Sequence, residues 1–141
     1  MEKQFMTLAI KKAKKSSEPL KCGAVIVKDG KIVAVAYNTA HKKNDASAHA
    51  EINAIRKANK KLSSKYLENC TIYCTCEPCI MCLTAISYAK ISRVVYGLTL
   101  KNVTPKEKLI DIPLELFLEK SPHKIEVTRN FMEEDCKSLL V

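Results

Sequence analysis

The chain is short of several things. Glycine and proline number only three and five in 141 residues, which excludes collagen-like and linker-rich chains. No apolar run approaches the roughly 20 residues that span a bilayer, so no membrane segment is expected. From Met1 to Ile10 there is neither a long apolar core nor a small-residue cleavage site, so no secretory signal is expected either. Internal repeats and low-complexity tracts are missing. Acidic residues are scarce: 15 Asp and Glu against 24 Lys and Arg leave a formal charge of +9. That excess permits a nucleic-acid partner, although the lysines are spread over several segments, and solvated helix faces are their ordinary place. With 47% apolar residues the chain is too hydrophobic for disorder. Its length suits one domain over residues 1–141, large enough to bury a core.

Cysteine, by contrast, is plentiful. There are seven, and Cys74, Cys76, Cys79 and Cys82 crowd together. A secreted disulfide scaffold is usually shorter and has an even count. A reduced, cytoplasmic protein is the expectation, and in it the cluster is a metal or catalytic site.

Phe5, Met6, Ala9, Ile10 and Ala13 recur at helical spacing, predicting a helix over Glu2 to Lys15. Gly23 to Val27 and Ile32 to Tyr37 read as strands, and the Asp29-Gly30 pair between them signals an antiparallel hairpin. Asn38 to Ala46 reads as loop. Ser47 is expected to cap a helix from about Ala48 to Lys60. A strand follows at Thr71 to Thr75, then a helix with Pro78 at its first position and its end near Lys90. Further strands are expected at Arg93 to Leu98 and Lys124 to Thr128. Between them lies a long connection, Thr99 to Pro122, with a short helix at Leu114 to Glu119. A last helix covers Met132 to Leu140. This order indicates an α/β sandwich on a mixed sheet, with a parallel crossover from Thr71 to Leu98.

Two short stretches carry the chemistry: Ala48-His49-Ala50-Glu51 and Glu77-Pro78-Cys79-Ile80-Met81-Cys82. Cys79 and Cys82 are three apart, so both sulfurs face one side of a first helical turn, where the positive helix end favours thiolates. With one imidazole they offer three ligands to a tetrahedral zinc and leave the fourth position open, the mark of a catalytic site. Glu51 lies two residues beyond His49, roughly 200° around a helix axis. The two can flank one cavity only at a helix start. Cys74 and Cys76 flank Thr75 in a strand and are expected to share one buried face.

His49-Ala50-Glu51 with Pro78-Cys79-Ile80-Met81-Cys82 resembles the zinc-dependent cytidine/deoxycytidylate deaminase superfamily. The resemblance implies a three-layer sandwich with a mixed five-stranded sheet and helices on both faces. It also implies a homodimer and one Zn2+ per chain, held by His49, Cys79 and Cys82. Glu51 would shuttle protons, and Asn38 and Ala50 would contact the substrate. Within the superfamily, Asn44 to Ile86 is most similar to bacterial guanine deaminases, so a free base such as guanine is the first expected substrate. Gly23-Ala24-Val25 and Arg93-Val94-Val95-Tyr96-Gly97 are similar to tRNA adenosine deaminases. That makes adenosine in tRNA the alternative, beside cytosine or (deoxy)cytidylate. After Leu98 the chain lacks the Lys-Thr-Gly-Ala-type loop and basic tail of the one group, and the aromatic, acidic C-terminal segment of the other.

Overall fold

The computed structural model describes residues 2–140. Helix α1 (Glu2–Ala13) buries Phe5, Met6, Ala9, Ile10 and Ala13, the face that the spacing predicts. Strands β1 (Gly23–Lys28) and β2 (Lys31–Tyr37) form the predicted antiparallel hairpin. Its turn has Asp29 at φ 51° and Gly30 at φ 73°. Both are left-handed, as a type I′ turn requires. Next comes α2 (Ala40–Lys43), one turn of helix inside a segment expected to be loop. After it run α3 (Ala50–Leu62), β3 (Cys70–Cys76), α4 (Ile80–Tyr88) and β4 (Arg93–Leu98). The chain then forms α5 (Leu100–Val103), α6 (Leu114–Lys120), β5 (Glu126–Thr128) and α7 (Glu133–Cys136).

The five strands lie in the order β2-β1-β3-β4-β5. β1 is antiparallel to β2 and β3, whereas β3, β4 and β5 are parallel, so the sheet is mixed as expected. Alternate residues of each strand serve opposite faces. Val25, Val27, Tyr73 and Val95 meet α1 and the C-terminal residues Cys136 and Leu139. Ala24, Ile26, Ile72 and Val94 meet α3, α4 and α6 through residues such as Ala54, Ile86 and Leu114. The result is the three-layer sandwich.

Several predicted elements differ in extent. β5 begins at Glu126, not Lys124, because in the parallel register Glu126 already faces Arg93, the first residue of β4. Residues before it have no strand to pair with. The last helix begins after Met132, whose φ of 54° breaks it, and it tightens into a 3-10 turn over Lys137–Leu140. Cys74 and Cys76 do not share one face: Cys74 packs with the α3 layer and Cys76 with the α1 layer. Between them the Thr75 hydroxyl, not its backbone, accepts the Gly23 N–H at 3.0 Å, and the β1–β3 register ends at the Ala24–Cys74 pair.

The layer of α1 rides close on β1. A Cβ at Gly23 would overlap the carbonyl oxygen of Ala9. Backbone cannot yield as a flexible side chain can, so Gly23→Ala is expected to destabilise the fold by about 3 kcal/mol. Urea denaturation measures this; an unchanged midpoint would mean that helix and strand do not lie this close.

Candidate active site

His49 and Cys79 are the N-cap residues of α3 and α4. Both have extended backbones, at φ −72°, ψ 160° and φ −70°, ψ 173°, and neither side chain caps its own helix. Two helix N-termini, each a region of positive potential, thus converge on one point. The predicted cap, Ser47, does not serve. Its hydroxyl and its N–H both go to Asp45 Oδ1, at 2.7 and 2.9 Å, in a turn of its own. The Ala48 carbonyl accepts from Thr39 N at 2.9 Å, so the helix cannot start there. This shift of two residues resolves the geometric demand on His49 and Glu51. His49 stands outside the helix and Glu51 in its first turn, so the angle between them is not that of mid-helix neighbours. Pro78 likewise lies ahead of α4, not at its first position, which Ile80 holds. Its ring keeps Glu77 extended and delivers Cys79 as the cap.

His49 Nδ1 lies 3.5 Å from Cys79 Sγ and 3.6 Å from Cys82 Sγ, and the two sulfurs are 3.7 Å apart. A zinc ion with ~2.3 Å bonds to sulfur and ~2.05 Å to nitrogen at tetrahedral angles needs about 3.8 Å between sulfurs and about 3.5 Å from sulfur to nitrogen. The three donors therefore fit zinc, which is the cofactor of this site. Among the described residues this is the one group of three or more such side chains able to hold a metal. All seven cysteines are free thiols, and the four-cysteine pattern of Cys74 to Cys82 does not assemble around one ion.

The same atoms interact strongly without metal. The hydrogen bond with Cys82, followed by that with His49, holds the Cys79 thiol down to about 4 against the opposing effect of burial. The Cys79 thiolate in turn raises His49, and the hydrogen bond to it, with burial, pushes Cys82 upward. The hydrogen bonds thus favour a thiolate at Cys79 and protonation of the His49 ring beside it. Glu51 is only 6% exposed. Burial first, then the Cys79 charge, push its carboxyl up to about 7. A carboxyl group near neutrality can both take and give a proton at physiological pH.

His49, Ala50, Glu51 and Cys79 line a cavity of about 770 Å³, the size range of sites for drug-sized ligands. Asn38 lines it too, with its amide already oriented: Nδ2 donates to the Leu20 carbonyl at 2.7 Å, and Oδ1 accepts from Cys22 N at 3.0 Å. The backbone N–H groups of Ala50 and Glu51 open the first turn of α3, where no preceding helical carbonyl can reach them. Sequence reasoning missed Asn53. It is buried, and its Nδ2 donates to the Tyr37 carbonyl at 2.9 Å and Thr39 Oγ1 at 3.0 Å, tying α3 to the end of β2. An Asn inside a helix, where its propensity is low, was the available signal. Also missed were Glu18 and His41 at the cavity mouth and the wall built by Leu100, Val103, Lys108 and Leu109.

The three-layer α/β sandwich thus brings two helix N-termini and a three-donor zinc site to the wall of one cavity, with a buried carboxyl beside them as a proton carrier. A family model, the cytidine and deoxycytidylate deaminase zinc-binding region, matches residues 1–98, and the chain belongs to this family. The tRNA-specific adenosine deaminase of Buchnera aphidicola subsp. Baizongia pistaciae is 38% identical over 99% of the chain and 85% of its own length. A structure solved in work on A-to-I editing by tRNA:A34 deaminases at the wobble position superimposes with a TM-score of 0.85 at 34% identity, covering 98% of this chain and 99% of that one. The guanine deaminase of Bacillus subtilis gives a TM-score of 0.69 at 33% identity, covering 84% and 90%.

Proposed function

We propose that the chain deaminates adenosine within tRNA, replacing the exocyclic amine by oxygen to leave inosine. The observation that carries this reading is the reach of the likeness. At 34–38% identity the similarity to tRNA deaminases extends through the segment after Leu98, which matches neither group by motif, whereas guanine deaminases match 84% of the chain at 33% identity or 98% of it at only 19%. A free base such as guanine, the first expectation from sequence pattern, becomes the second reading. The setting of the cavity supports RNA as well. Exposed Lys42 and Lys43 follow His41, which lines the cavity, and exposed Lys108 lines it too. Such charges suit the phosphates of a strand whose base is flipped inward.

In this reading His49, Cys79 and Cys82 hold the zinc, which when bound lowers the pKa of a water toward ~7 and polarises it for attack. Glu51 takes a proton from the attacking water and passes it to the ring nitrogen beside the amino-bearing carbon. A second transfer through the same carboxyl group lets ammonia leave. Asn38 and the Ala50 backbone orient the base. The reading carries with it the cytoplasmic setting that seven free thiols favour and the homodimer that the resemblance implies.

The test is ammonia release over a panel: a tRNA anticodon stem-loop, guanine, adenine, cytosine, isocytosine, cytidine and dCMP. Turnover of the RNA is expected to exceed that of every free base by at least ~100-fold in kcat/KM, a difference of about 3 kcal/mol in transition-state binding. Efficient release from guanine with none from RNA would reverse the order of the two readings.

A further inference from the structure

Glu18, in the segment between α1 and β1, is 8% exposed. Both its oxygens go to one partner. Oε2 accepts from the backbone N–H of His41 at 2.9 Å, and Oε1 lies 2.7 Å from His41 Nδ1. An ionised carboxylate only accepts, so Nδ1 carries the hydrogen and Nε2 is left for another partner. The His41 side chain itself is 76% exposed. It lines the mouth of the cavity that holds Glu51, as Glu18 does. The segment carrying Glu18 is itself latched. Ser16 Oγ donates to the Asn38 carbonyl at 3.1 Å, and the Asn38 amide grips Leu20 and Cys22.

Burying a carboxylate is costly unless its hydrogen bonds are made. Here that carboxylate fixes a ring which would otherwise swing freely on a one-turn helix. Fastening the helix would need only the contact to the backbone N–H; the second oxygen orients the imidazole. A nucleotide whose base lay beside Glu51 would have its ribose and flanking phosphates, not the base, toward the exposed side where His41 stands.

We propose that His41, oriented by Glu18, contacts the sugar–phosphate backbone beside the base that enters the cavity. This rests on the RNA reading given above. Nε2 can donate to a phosphate oxygen when the ring is charged, and accept from a ribose 2′-hydroxyl when it is neutral. Glu18 is then a positioning residue that acts through His41.

Steady-state kinetics on the tRNA stem-loop test the proposal, with thermal melting measured alongside. In His41→Ala, KM for the RNA is expected to rise about tenfold with kcat within about twofold, the loss of one charge-assisted hydrogen bond. His41→Gln, which keeps a hydrogen-bonding group, should recover part of that loss. Glu18→Ala should raise KM similarly, and the double variant should add little, since both remove one contact. If His41→Ala leaves KM within twofold, the pair is only a staple and the proposal is overturned, whatever happens to the melting temperature. If the chain turns over free bases and not RNA, the substrate reading fails, and this role falls with it.

Discussion

Glu51→Gln is expected to lower kcat by at least about 10³-fold while zinc stays at one ion per chain. The amide fits the same buried place at the start of α3 but cannot carry a proton between water and ring nitrogen, and general acid–base catalysis contributes roughly 10²–10⁴-fold. Steady-state ammonia release paired with metal analysis reads both halves; near-parental turnover would remove Glu51 from the chemistry. The same variant carries a pH signature in the metal-free chain. Folded, Glu51 keeps its proton up to about pH 7, whereas its ordinary value is 4.5. Between those values the folded state binds more protons than the unfolded one, so stability falls as pH rises through this window, and the whole penalty stands above it. At about 1.4 kcal/mol per unit this amounts to about 3 kcal/mol. Metal-free Glu51→Gln should therefore exceed the parent in stability near pH 8 and match it near pH 4, as urea denaturation would report. A difference independent of pH would mean that the carboxyl is not buried as a charge beside Cys79.

Cys82→Ala is expected to release the metal and abolish turnover. Cys82 is fully buried at the third position of α4, and its sulfur closes the triangle with His49 Nδ1 and Cys79 Sγ. With two donors left, bound zinc should fall from one ion per chain to below about a tenth after dialysis against a chelator, because ligand count dominates the affinity of such sites. Cys74→Ala is the control. Cys74 is as deeply buried, in the core under α3, but lies outside the metal-binding group. It should keep its zinc and lose only the small packing contribution of a thiol. Full zinc occupancy in Cys82→Ala would show that the ligand set is wrong.

The hairpin, the amphipathic first helix and the parallel strand–helix–strand unit were all legible along the chain. Each depends on neighbours in sequence: Asp29-Gly30 for the turn, the three- and four-residue spacing of Phe5, Ala9 and Ala13, and the apolar run of Arg93 to Leu98. The three zinc donors were legible for the same reason. Cys79 and Cys82 sit one helical turn apart, and His49 belongs to the His49-Ala50-Glu51 stretch that resembles the family's second half-motif. Helix boundaries were less so. Ser47 has the right side chain for a cap, but Asp45 takes its hydroxyl and Thr39 takes the Ala48 carbonyl, so the helix starts at Ala50. Local propensity is worth tenths of a kcal/mol to about 1 kcal/mol per residue, and hydrogen bonds from a segment folded back in space override it.

By itself the sequence determined the layered α/β architecture, because strand and helix signals are written in short-range spacing, and through its resemblance to a known family it pointed to the zinc donors and the reaction class. Only the tertiary structure decided how His49 and Glu51 face one cavity, which side chains stand at its mouth, and what encloses it. Glu18 meets His41 across 23 positions, Asn53 reaches back to Tyr37 across 16, and the wall from Leu100 to Leu109 comes from a segment with no motif of its own. Contacts of that range leave no period in the chain; they exist only once the sheet has brought the ends of β1, β2, β3 and β4 together.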